Sequence, residues 1–268
     1  MDKKKLTDIA KDKGFISSIY NYCDRWCERC PQTSKCLLYA INEEDFSDPE
    51  TRDIHNKAFW NRLSGILADT LDLINEKAAA EGIDLDSLDL DKLEEKDLSV
   101  IRVADNHDIS HAAMAYSQMT EDWFNEAGVF SVKDEKDALS DLLVAGNKYN
   151  LQDEDLEDAL KVIRWYQHQI YAKLIRAISG RIEEDAEISE EADKYARDSD
   201  GSAKVALIGI DRSIAAWIII DNRIPTFERD DVKAIMTHLD KLMKKIENDF
   251  PDARAFLRPG FDRIDLNS

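Results

Sequence analysis

No proline occurs between residues 50 and 224 of this 268-residue chain, while Pro31, Pro49, Pro225, Pro251 and Pro259 punctuate the flanks. A proline inside a helix removes a backbone donor and clashes with the preceding turn. A proline-free run of this length therefore permits long helices, and the apolar periodicity fills it with them. The pattern predicts helices over about 15–30, 35–42, 52–80, 107–127, 134–146, 153 to beyond 180, 202–221 and 230–248. Ile54, Phe59, Leu63, Ile66, Leu67, Leu71 and Ile74 mark the apolar side of the 52–80 helix, and Leu156, Leu160, Ile163, Ile170, Leu174 and Ile178 that of the helix beginning near 153. Gly82, Gly128, Gly146 and Gly180 follow or interrupt such runs. No alternating strand pattern appears, and Ile218–Ile220 continues a helical period. The expected fold is all-α: a multi-helix bundle of long antiparallel helices, with a small N-terminal segment that binds metal through four cysteines. The expected boundary divides a segment 1–45 from a bundle 46–268.

Charge narrows the range of partners. Asp and Glu outnumber Lys and Arg 56 to 36, a formal net charge of -20. Such a field repels phosphate backbones and anionic lipid, so neither nucleic acid nor membrane is an expected partner, whereas a basic protein is. The opening MDKKKLTDIAKDKG lacks the apolar stretch of a secretory signal. The most apolar run, VALIGIDRSIAAWIII, is interrupted by Asp211–Arg212 and is too short to span a bilayer. The sequence is read as cytoplasmic. The acidic stretches 83–97 and 183–193 read as solvated helix faces or loops, and the tail after Pro251 as irregular chain packed back on the bundle.

All four cysteines, Cys23, Cys27, Cys30 and Cys36, fall in CDRWCERCPQTSKC. In a reducing compartment, clustered thiols read as metal ligands before they read as disulfides. Their spacing is C-x3-C-x2-C-x5-C. Were 15–30 helical, Cys23, Cys27 and Cys30 would share one stripe, Pro31 would turn the chain, and Cys36 would return as fourth ligand. Neighbours at i,i+4 have Cβ atoms roughly 5–6 Å apart. Tetrahedral zinc, with Zn–S near 2.3 Å, draws its sulfurs to within roughly 4 Å of each other. A cubane spreads its ligands more widely, so a helical stripe suits a [4Fe–4S] cluster better than zinc, which stays the alternative. The second half, CERCPQTSKC, resembles the iron–sulfur loop of helix-hairpin-helix DNA glycosylases, C-x6-C-x2-C-x5-C. Cys27, Cys30, Pro31 and Cys36 match it in order, and the first spacing has three residues in place of six. The resemblance covers about a dozen residues and implies a loop able to hold a [4Fe–4S] cluster. With no LPGVG-like hairpin in the chain, it does not extend to glycosylase activity.

A second constellation is sparser. His107 and His111 lie one helical turn apart, with Met114, Gln118 and Glu121 continuing their stripe; Arg164, His168 and Tyr171 share a face of a later helix. Asp211–Arg212 places charge inside an apolar helix, to be read either as an ion pair with Lys204 or another helix, or as a ligand site. His107, His111, His168 and Asp211 would form a metal or enzyme site only if they converge. Trp26, Trp60, Trp123, Trp165 and Trp217, one to each major helix, read as core, with Trp26 also shielding the cysteines. The leading expectation is a protein carrying an electron-transfer, sensing or structural cluster and served by a redox partner. A zinc-stapled interaction module and a helical enzyme with a His/Asp site are the alternatives.

Overall fold

The computed structural model describes residues 12, 14–126, 154–186, 197–223 and 229–262. Among them the protein is all-α, without strands. The α-helices are α1 (Leu37–Asp45), α2 (Lys57–Glu81), α3 (Leu90–Asp105), α4 (Asp108–Glu126), α5 (Glu154–Ala186), α6 (Asp198–Arg223) and α7 (Arg229–Asp249). Short 3₁₀ turns accompany them at Ile19–Asn21, Cys27–Arg29, Thr33–Lys35, Pro49–Thr51, Leu85–Ser87 and Ala253–Ala255. No helix among the described residues is long and apolar enough to cross a membrane. The helix expected over 134–146 lies outside the described residues, as do Gly128 and Gly146.

Contacts divide the chain into two units, residues 1–96 with 257–268, and residues 97–256. The cysteine segment expected over 1–45 lies wholly inside the first.

In the second unit, α4 to α7 pack in a ring: α5 against α4 and α6, and α7 against α4 and α6. Neighbours run antiparallel. Arg164 of α5 meets Glu121 of α4, and His168, further along α5, meets Ser117, earlier on α4. Likewise Arg176 of α5 pairs with Asp198 at the start of α6, whereas Tyr166 meets Arg212 near the middle of α6. The apolar stripes explain the order. Leu156, Leu160, Ile163, Ile170 and Leu174 of α5 and Val232, Ile235, Leu239, Leu242 and Ile246 of α7 recur at helical spacing and are buried. Each such side chain contributes roughly 1.5–3 kcal/mol through burial. Trp123 and Trp217 meet edge to face across the centre, centroids 5.0 Å apart, and the Trp217 indole donates to the Tyr116 hydroxyl at 3.3 Å. The α5–α6 contact is close because Gly209 lacks a side chain: a Cβ there would stand 2.9 Å from Tyr166 Cδ1 and 3.1 Å from Ile170 Cγ1.

In the first unit, α2 starts at Asn56, whose side chain accepts from the Ala58 amide at 2.9 Å, and closes at Gly82, where the Ile83 amide donates back to Ala78 at 2.8 Å. The acidic stretch after it, 83–97, forms the 3₁₀ turn Leu85–Ser87 and then the first turns of α3, and it is exposed except at half-buried Leu85. Trp60 is a correction to the core expectation. It is 55% exposed, and its indole donates to the Ile54 carbonyl at 2.8 Å.

Candidate metal centre

The segment carrying the cysteines is not the helix its periodicity predicts. Ser18 (φ 60°) and Arg25 (φ 59°) take left-handed conformations, which an α-helix cannot contain. Asp24 adds a local alternative, its carboxylate accepting from the Trp26 amide at 3.2 Å. The chain runs instead through three single 3₁₀ turns, with Cys23 in the bend after the first, Cys27 opening the second and Cys36 closing the third. The Cys30 amide donates to the Cys27 carbonyl and the Cys36 amide to the Thr33 carbonyl, both at 3.1 Å. The Ile16 amide donates to Lys35 at 3.0 Å and ties the segment's two ends together. Without the helix, the shared stripe that favoured a cubane over zinc is absent.

The cysteines nonetheless border a common space. Cys23, Cys27, Cys30 and Cys36 all line one partly open cleft, enclosing about 310 Å³ of empty space including its mouth. Ile19, Tyr20, Trp26, Tyr39 and Phe261 supply its apolar wall. All four are free, partly buried cysteines. Arg29 lies over the Trp26 ring, 3.8 Å from its centroid. Burial pushes the Cys27 thiol above its usual value, and the neighbouring Cys23 and Cys30 push it further. Burial also raises Cys30, against the pull of the Gln32 amide. That amide reaches the Cys30 sulfur at 3.4 Å, a contact of the kind that tunes cluster thiolates. The Cys23 thiol donates to the Tyr20 carbonyl at 3.5 Å. Among the described residues, no group of three or more His, Cys, Asp or Glu side chains is gathered closely enough to hold a metal ion.

The second constellation is held at separate places. His107 accepts from the Ile109 amide through Nδ1 at 3.3 Å and lies 3.8 Å from Asp249 through Nε2. The depression around it is lined by Asn106, Asp108, Ile109, Lys245 and Asp249, and by none of His111, His168 or Asp211. His111 is exposed on α4. His168 meets the Ser117 hydroxyl through Nδ1 at 2.7 Å. Asp211 pairs with Arg254 at 2.5 Å on the surface, in place of Lys204, whose ammonium donates to the Phe256 carbonyl at 2.5 Å. Arg212 donates to the Tyr166 hydroxyl. Asp211–Arg212 thus lies on the bundle's outer edge, where its charges remain solvated.

Sequence reasoning missed a carboxylate partner for Arg164. Glu121 accepts from it at 2.7 Å and from Gln167 at 2.9 Å, and the Arg164 guanidinium lies over Phe124. These bonds, led by Gln167, hold the Glu121 carboxyl below its usual value. The matching stripes on two neighbouring helices were the available signal. The wall residue Phe261 gave no signal, because it lies far from the cysteines in sequence.

No protein-family model matches this chain, and neither the curated proteins nor the solved structures contain a match.

Proposed function

We propose that the protein binds a metal centre on Cys23, Cys27, Cys30 and Cys36, and that this centre is a [4Fe–4S] cluster serving electron transfer, sensing or local structure. The observation that carries the reading is the meeting of all four of the chain's cysteines at one cleft. Four soft thiolates with no nitrogen or oxygen donor suit iron–sulfur or zinc. A cubane takes one thiolate on each of four irons, and the likeness of CERCPQTSKC to the glycosylase cluster loop favours it over one zinc ion. When bound, such a cluster supplies one-electron chemistry. The chain's own part is to give up four thiol protons, donate the Gln32 amide to the Cys30 sulfur, and exclude water with Trp26 and Phe261. A redox protein would be the partner of an electron-transfer centre. A structural zinc in the same cleft, with the acidic surface recruiting a basic partner, is the second reading; the same four thiols support it.

Anaerobic purification followed by iron, sulfide and zinc analysis and visible absorption tests the proposal. A brown protein with about four irons and four sulfides per chain is expected. A colourless protein with one zinc supports the second reading, and a metal-free protein rejects both.

A further inference from the structure

The cleft has a wall that the cysteine motif does not contain. Phe261 reaches it from the far end of the chain. The segment bearing Phe261 is tightly built. Arg258 and Asp262 form a part-buried ion pair at 3.0 Å, and the Arg258 amide donates to the Asp262 carboxylate at 2.9 Å. The Phe261 amide donates to the Arg258 carbonyl at 3.2 Å, and the Arg258 guanidinium lies 5.0 Å from the Phe261 ring centroid. Gly260, at φ 76°, presses so closely on the N-terminal segment that a Cβ would come 2.8 Å from both Ile16 Cδ1 and Ile19 Cδ1. Ile19 is 1% exposed. The segment therefore seals the same turn of chain from which Cys23 emerges. Upstream, it follows directly on Phe256, whose carbonyl is held by Lys204.

We infer that residues 257–262 are a strap over the four-thiol cleft, and that docking of the strap and occupancy of the cleft stabilise one another. The inference rests on the metal-binding reading. Metal on the thiols fixes the loop of residues 16–36 that the strap packs against; a docked strap shields the thiolates from water and competing ligands. Coupling of this kind is reciprocal: the factor by which metal tightens the strap equals the factor by which the strap tightens metal.

The test uses the full chain, purified anaerobically, with two readouts. The first is the rate at which a chelator strips metal from wild type, Phe261→Ala, Gly260→Ala and Leu257→Ala. Phe261→Ala and Gly260→Ala are expected to lose metal on the order of tenfold faster. Leu257→Ala, at a residue 52% exposed, should match wild type. The second is amide hydrogen exchange over 257–262 in loaded and stripped wild type, which depends on no variant folding. Protection is expected to fall when metal is removed. A loaded protein whose Phe261→Ala and Gly260→Ala variants strip at the wild-type rate, with unchanged exchange in 257–262, overturns the strap and leaves the metal centre standing. A chain that binds no metal overturns both.

Discussion

The two units hold themselves together in different ways. The second, residues 97–256, carries nearly all of the buried apolar side chains, from Val100 through Phe256. The first, among its described residues, buries only Ile19 and Ala78 of its apolar side chains, while Trp60, Leu67, Leu71, Ile74 and Leu90 stand exposed. A helix ring with continuous stripes stabilises itself by removing apolar surface from water. A segment that buries one isoleucine cannot, and small units of that kind depend on cross-links or metals. What the first unit has beside its small core is a cleft lined by four cysteines and an apolar wall.

Separate perturbations should break this contrast cleanly. The largest effect is expected from Cys27→Ser combined with Cys30→Ser. This variant should bind no metal and lose ordered structure over residues 14–46, with the bundle's thermal transition unchanged; metal analysis and circular dichroism on one sample read both. Next is Trp217→Ala, which empties the centre of the ring and should cost about 3–5 kcal/mol in denaturant unfolding, with metal content unaltered. A pH titration sharpens the comparison further. In the metal-free chain, burial raises Cys27 and Cys30 above the ordinary value of 9.0. Their neutral form therefore favours the folded segment below that pH, and this contribution is lost as pH rises through the raised values. Metal binding has the opposite sign: ligands must be deprotonated, so metal is released on acidification. Alkali should loosen the stripped segment and acid should unload the filled one, both followed by Trp26 fluorescence. The smallest effect is expected at Asp211→Asn. Its exposed pair with Arg254 should contribute less than about 1 kcal/mol, and metal content should not change.

The bundle was largely legible in the sequence because its stripes do what stripes do: residues spaced at three and four in α5, α6 and α7 are buried together, and the proline gap permits them. The cysteine segment was misread for a physical reason. Phe15, Ile16, Ile19, Tyr20 and Trp26 recur at intervals that imitate a helix, but Ser18 and Arg25 adopt left-handed backbone and Asp24 bonds its own chain. Neither conformation follows from composition. Trp60 shows the complementary failure, since an apolar stripe states what could be buried and not what is. The cleft's cysteines were readable as a set because all four lie in one short stretch. Phe261 was not, because only the fold brings residues 257–262 to residues 16–36.

Hydrogen exchange on the anaerobically purified full chain, before and after treatment with a chelator, is the most direct measurement. The account predicts that amides over 14–46 lose protection while those of α4, α5, α6 and α7 keep it. Equal protection of residues 14–46 in the two states, or a parallel loss throughout the bundle, would contradict it.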